Sequence, residues 1–328
     1  MQMRTLGNTG IKVSALCFGG NVFGWTTDQN TSFALLDAFV AAGGNFIDTA
    51  DVYSRWVPGH KGGESETVIG NWLAARPGMR SKIVIATKVG MDLGGDHKGL
   101  SPKWIASAVE DSLKRLQTDY IDLYQSHTDD QTVPLADTLG AYDKLISAGK
   151  VRAIGASNYT AARLQEALEV ARNNSLPVYA SLQPLYNLYD RDVFEKDLEP
   201  LCQREGIAVI NFYALAAGFL TGKYRSAEDA SKSARGQGVT KKYLNDRGLK
   251  ILAALDQVAK ATGSSPGNVA IAWLLARSSV TSPIASATSL PQLQALVAAT
   301  QLTLEAAQIN ALNLASAWET APARPTTP

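Results

Sequence analysis

The chain has 328 residues, 31 of them basic and 30 acidic, for a formal charge of +1, and 45% are hydrophobic. Balanced charge without a basic stripe argues against nucleic acid or an anionic membrane as partner. Two cysteines, Cys17 and Cys202, make no disulfide scaffold and fit a reduced compartment; the histidines, His60, His97 and His127, show no zinc-ligand spacing with them, so no metal is expected.

The N-terminus MQMRTLGNTG lacks the apolar stretch of a signal peptide, and no segment is apolar for ~18 residues, so a soluble, cytoplasmic protein is expected. Residues 1–13 read as a small hairpin turning at 7–10, placed to plug the bottom of a barrel. Apolar runs then recur at 15–18, 45–47, 83–87, 121–124, 151–156, 180–182, 208–212 and 280–285, eight candidate strands. Stretches of helical period separate them: Phe33, Leu36, Phe39 and Val40 serve one, and Ile105, Val109, Leu113 and Leu116 another. Ser101-Pro102 and Ser265-Pro266 each offer an N-cap followed by a first-turn proline, and Pro134 and Pro291 also fit a first turn. Such alternation implies right-handed βαβ units, and eight of them argue for an α/β fold closed as a (β/α)₈ TIM barrel. No G-x-G-x-x-G follows the first strand, which counts against a Rossmann domain. Residues 214–246 form a long insertion after the seventh strand, rich in Gly, Ser, Lys and Arg. Helical patterns at 251–261 and 306–318 complete a single domain over 1–318, and the proline-rich end 319–328 is expected to be disordered.

Four polar residues fall where one reaction needs them. Asp48, Lys88 and His127 each close an apolar run, and Tyr53 lies in the loop after the first of these. The C-terminal ends of parallel strands are where α/β barrels collect catalytic groups. An ammonium near a phenol favours phenolate, so Lys88, held by Asp48, is expected to lower the Tyr53 pKa from its usual ~10. Tyr53 then exchanges a proton with a carbonyl oxygen, and His127 hydrogen-bonds that oxygen. Taken singly, each residue has an ordinary explanation: a turn cap, a half-buried aromatic, a solvated lysine, a core histidine.

With these residues in order, and with GASN at 155–158, SLQPLYN at 181–187, GFLTGKY at 218–224 and PIASATSLPQL at 283–293, the chain resembles the aldo-keto reductase family over nearly its whole length. The resemblance implies a barrel that binds NADP(H) and reduces aldehydes or ketones, sugars and bulky alicyclic ketones among them. It assigns Asp48, Tyr53, Lys88 and His127 to catalysis. Gly20 and Asn21, with Asp48, fall on the cofactor side. Ser157, Asn158 and Gln183 would hydrogen-bond the nicotinamide carboxamide, and Phe212, followed here by Tyr213-Ala214-Leu215, would stack on its ring. The loop from Leu215 through Gly218, Leu220 and Gly222 to Lys223 would present backbone N–H groups and a charge to the pyrophosphate. Ser286, Thr288 and Gln292 match the adenosine-phosphate loop at a helix N-terminus. Gln292 stands where NADP-preferring relatives often carry arginine, and Leu296 where an asparagine is often found, so NADP(H) is favoured with NAD(H) possible. Arg235 is placed to fold over the adenosine end. Trp25, Trp56 and Asp129 are the candidates for contact with a small-molecule substrate. The identity of the substrate, the direction of reaction and the oligomeric state are open.

A rival of another class is a cofactor-sensing regulatory subunit of the same fold, disfavoured by the lack of an appended N-terminal segment. A metal-dependent barrel hydrolase needs His, Asp and Glu clusters at strand ends, where only His127 is a histidine.

Overall fold

The computed structural model describes residues 1–318, so the expectation for the tail lies outside the described residues. Strands β1 (Met3–Thr5) and β2 (Lys12–Ser14) form the expected hairpin, with Met3 opposite Ser14. The barrel strands are β3 (Cys17–Gly19), β4 (Phe46–Asp48), β5 (Val84–Val89), β6 (Ile121–Ser126), β7 (Val151–Ser157), β8 (Ser181–Gln183), β9 (Ala208–Val209) and β10 (Ile284–Ala285). They pair in parallel in the order β10-β3-β4-β5-β6-β7-β8-β9. The ring closes where Val209 bridges Val280 and the Ile284 N–H donates to the Asn211 carbonyl at 2.9 Å. The result is a (β/α)₈ barrel.

Helices α1 (Gln29–Ala41), α2 (Glu64–Ala74), α3 (Pro102–Leu116), α4 (Leu135–Ser147), α5 (Ala161–Asn173) and α6 (Glu199–Glu205) follow β3 to β8 in turn. Between β9 and β10 come α7 (Gly236–Tyr243), α8 (Asp246–Thr262) and α9 (Pro266–Leu275); α10 (Leu290–Ala299) and α11 (Ala306–Ala315) end the described chain. Local chemistry sets these boundaries. The Ser101 hydroxyl accepts from the Trp104 N–H at the start of α3, and Ser265 accepts from the Asn268 N–H at the start of α9. Pro134 departs from the first-turn expectation: with extended φ/ψ of −56° and 136° it is itself the N-cap of α4. The seventh strand is shorter than its apolar run, which continues past Val209 only as an isolated bridge between Phe212 and Leu185.

Side chains alternate across each strand, so every second residue faces the barrel axis. Phe46, Val84, Ala86, Leu123, Ala153, Ala208 and Ile210 fill that interior, and Leu6, Ile11 and Val13 of the hairpin join them from below. The bottom of the barrel is thus a sealed apolar plug, as the hairpin pattern implied. Two residues further up the same inward rows stand Asp48, Lys88, Gln125, Gly155 and Phe212, and two further again His127 and Ser157. A Cβ at Gly155 would collide with the Ser181 hydroxyl and crowd the Gln125 side chain. The polar site is therefore the upper continuation of the apolar core.

Candidate active site

The loop after β4 is tied down before it delivers Tyr53. The Thr49 N–H donates to the Ala86 carbonyl at 2.8 Å and the Asp51 N–H to the Lys88 carbonyl at 3.3 Å, which prolongs the ladder past the strand. The Tyr53 N–H then closes a turn on Ala50. Ser54 takes φ 73°, and its hydroxyl donates to the Phe23 carbonyl at 3.1 Å. Tyr53 is left half-buried, its hydroxyl pointing back at the strand ends.

There the Lys88 ammonium, fully buried, donates to Asp48 Oδ1 at 2.6 Å, the Thr49 carbonyl at 2.7 Å and the Tyr53 hydroxyl at 3.0 Å. All three of its protons are engaged, so its position is fixed. The Tyr53 hydroxyl donates in turn to Asp48 Oδ1 at 3.3 Å. Asp48 Oδ2 accepts from Gln183 Nε2 at 2.9 Å and Gln125 Nε2 at 3.3 Å. Gln125 was missed in the sequence. Its signal was present: it lies two residues before His127 on the same inward row.

Burial opposes charge on Lys88, but Asp48 and then Tyr53 outweigh it and hold the ammonium above its usual pKa. For Tyr53 the balance differs from the expectation. Lys88 does pull the phenol down, but burial is the larger effect and Asp48 reinforces it, leaving Tyr53 at about 12. The phenol is thus a firmly protonated donor at neutral pH. His127, 8% exposed, sits edge-on to the Tyr53 ring with centroids 5.9 Å apart. Burial and then the Lys88 charge hold its imidazole well below the usual range, so it is neutral. Its Nδ1 is buried without a hydrogen-bond partner among the described residues.

Ser157 and Gln183 are register partners on β7 and β8, with the Ser157 hydroxyl donating to the Gln183 carbonyl at 3.0 Å. Asn158, at φ 57°, donates from Nδ2 to the His127 carbonyl at 2.8 Å and to Ser157 Oγ at 3.2 Å. Phe212 packs on the cluster that fills the barrel interior, whereas Tyr213, at φ 54°, is exposed. Of the two aromatics, Phe212 is the one on the inner face.

The loops after β9 and β10 are more self-contained than the sequence implied. The N–H groups of Gly218 and Leu220 both donate to the Leu215 carbonyl, and that of Gly222 to Phe219. Leu220 is fully buried, so its side chain belongs to the core rather than to a ligand. The Lys223 side chain is exposed and lies across Gly218, where a Cβ would meet its Nζ at 3.4 Å. The Ser286 hydroxyl donates to Asn21 Oδ1 at 2.6 Å, beside Gly20. Gln292 Oε1 accepts from the Thr288 N–H at 2.9 Å and hydroxyl at 3.1 Å, and Leu296 is buried.

On the substrate side Trp25 and Trp56 meet edge to face at 5.4 Å, and Trp56 lies 6.1 Å from Tyr53. Two placements correct the sequence reading. Asp129 is paired with Arg163 Nε at 2.9 and 3.1 Å, so its carboxylate is committed to the start of α5. Arg235 lies 4.8 Å over the Trp25 ring, which brings the insertion after β9 against the β3 loop.

The family model for the aldo/keto reductase family matches residues 15–317. The oxidoreductase YrpG of Bacillus subtilis, described as uncharacterized, is 33% identical over 319 residues, 95% of each chain. The "probable voltage-gated potassium channel subunit beta" of Oryza sativa subsp. japonica is 34% identical over 294 residues, 88% of each chain. Norsolorinic acid reductase B of Aspergillus parasiticus is 32% identical over 333 residues, 97% of this chain and 84% of that one. A match of this extent, on a barrel whose strand ends gather these side chains, establishes that the chain belongs to the aldo/keto reductase family.

Proposed function

We propose that this protein interconverts a carbonyl and an alcohol with a nicotinamide cofactor, NADP(H) by preference, and that Tyr53 is its general acid and base. The observation that carries the reading is the Lys88 ammonium held between Asp48 Oδ1 at 2.6 Å and the Tyr53 hydroxyl at 3.0 Å. In reduction the phenol, protonated at neutral pH, gives its proton to the substrate oxygen. The phenolate left behind faces an ammonium that Asp48 keeps charged and in place, the fixed-dipole arrangement that stabilises developing charge. The neutral His127 imidazole has an N–H to direct at the same oxygen and orients the carbonyl.

The residues present fit a nicotinamide. Asn158 Oδ1 and Gln183 Oε1 make no hydrogen bond among the described residues, while their amide nitrogens are locked in place, so both oxygens are free to accept from a carboxamide. Phe212 offers a ring on the inner face. The cofactor supplies hydride chemistry when bound; the chain orients, excludes water and moves the proton. Ser286, Thr288 and Ser289 would hold the adenosine phosphate at the start of α10, with Lys223 nearer the pyrophosphate. For the substrate, Trp25 and Trp56 suit a flat or ring-bearing carbonyl, in keeping with a relative named for reduction of norsolorinic acid.

The test follows reduced-nicotinamide absorbance against a panel of aldehydes and ketones, with each cofactor separately. Turnover of ring-bearing carbonyls is expected, faster with NADPH. The rice relative favours a second reading, a cofactor-sensing subunit. Tight cofactor binding with no turnover on any carbonyl would select it.

A further inference from the structure

Outside the barrel mouth, a cavity of ≈ 460 Å³ opens between the loop after β4, the loop after β5 and α3. None of Asp48, Tyr53, Lys88 or His127 lines it. Nine buried side-chain polar atoms in the described residues lack a hydrogen-bond partner, and four of them belong to residues lining this one cavity: both carboxyl oxygens of Asp51, His60 Nδ1 and Trp104 Nε1. Asp51 is 1% exposed and Trp104 7%. Unsatisfied buried polar groups are costly and rare, so their concentration around one space points to an occupant that completes them.

The charges say which kind. Arg55 and Lys61 line the cavity, and among the described residues neither has an ion-pair partner. Arg115 is already committed to Glu66 at 2.7 Å, and Asp111 is the opposing acid on the wall. Burial and then Glu66 push the Asp51 carboxyl well above the usual range, which weakens it as a competing anion. The Trp104 indole supplies a donor, and its ring stacks on His97 at 4.7 Å with 9° between planes, giving a flat wall. Two cations without ion-pair partners, a buried indole donor and an aromatic wall are complementary to an anionic head on a flat body.

We propose that this cavity is a second ligand site, distinct from the catalytic mouth, that takes a small organic anion, a carboxylate or a phosphate monoester carried on a planar body. The site lies under the loop that delivers Tyr53, and the Asp51 N–H is the group that ties that loop to Lys88. Binding stands or falls without reference to the reaction proposed above.

Isothermal titration of the full chain with benzoate and with phenyl phosphate tests it, inorganic phosphate and benzylammonium serving as controls. Saturable binding of at least one aromatic anion is expected with a Kd of roughly 1 mM or tighter. The exposed double substitution Arg55→Ala with Lys61→Ala should weaken it about tenfold or more, since charge-assisted contacts are lost. Ala108→Leu, which fills the cavity without changing charge, should weaken it too. The stronger of the two aromatic anions identifies the head group. Absence of saturable binding up to roughly 10 mM would show that water alone completes the cavity and would overturn the proposal. So would an affinity untouched by the double substitution, which assigns the heat to the barrel mouth, or binding of benzylammonium in place of the anions.

Discussion

The two sides of the barrel mouth are built on opposite plans. At the ends of β4 and β5 the polar side chains are turned towards one another: Lys88 donates to Asp48 and Tyr53, and Asp48 also accepts from Gln183 and Gln125. Around β9 and β10 the polar atoms are turned inward on their own loops. The amides of Gly218, Leu220 and Gly222 serve loop carbonyls and Gln292 serves Thr288, while Ser286 reaches across to Asn21 of the β3 loop. On the proposed reading, the first side is set for a charge shift that happens within it. The second holds its own shape, so its share in binding falls to exposed groups such as Lys223 and to whatever loop movement binding brings.

Damage to the first side should therefore cost far more than damage to the second. Lys88→Met removes the ammonium that stabilises the phenolate and leaves Asp48 with only amide and hydroxyl partners. The kcat should fall by at least ~10²–10⁴, the range of a positioned acid. Unfolding in urea should show a loss of about 3–5 kcal/mol, the cost of stranding one member of a buried pair. A variant with near-normal kcat would make Lys88 a structural residue.

On the second side, Gln292→Arg adds a guanidinium at the start of α10. The ratio of kcat/KM for NADPH over NADH should rise about tenfold or more with kcat almost unchanged, because a charge-assisted contact to phosphate is gained. An unchanged ratio would mean that the adenosine phosphate does not reach this loop.

His127 links the site to stability. Its folded pKa is depressed below the unfolded value of 6.5. The unfolded chain therefore takes up a proton first, and the contribution of the neutral imidazole is fully present above about pH 6.5 and is lost as pH falls towards the folded pKa. Urea unfolding between pH 7 and 5 should show this as a slope of up to about 1.4 kcal/mol per pH unit that His127→Gln flattens. The same slope in the variant would place the titration elsewhere.

A smaller effect is expected where the insertion after β9 meets Trp25. Arg235→Ala removes a cation–π contact worth ~0.5–1 kcal/mol, so KM for a ring-bearing carbonyl should rise roughly two- to fivefold at constant kcat. A fall in kcat would instead implicate the contact in the chemistry.

The same contrast explains what could be read from the sequence. The eight strands and the hairpin plug follow from alternation and apolar runs, and those patterns carry Asp48, Lys88 and His127 to the strand ends. Gln125 obeys the same rule, two residues before His127 on the inward row, but carries no charge to draw attention to it. The loop from Leu215 to Lys223 has no period: its course depends on Ala216, Ala217 and Gly218 all taking positive φ, which residue types do not announce when two are alanines. The commitments of Asp129 to Arg163 and of Arg235 to Trp25 join residues distant in sequence, and only the folded chain brings them together. The net pKa of Tyr53 needed the same knowledge, since burial and Asp48 together outweigh the lysine.

The most direct test of the account is a paired measurement on Tyr53→Phe: kcat with an accepted carbonyl, and the Kd for NADPH by fluorescence titration. The substitution removes one hydroxyl from a half-buried ring and leaves Ser157, Asn158, Gln183 and the β9 and β10 loops intact. The expected result is a loss of at least ~10²-fold in kcat with a Kd within roughly twofold of the parent. A variant that keeps more than about a tenth of the parent kcat would contradict the assignment of Tyr53 as the proton donor.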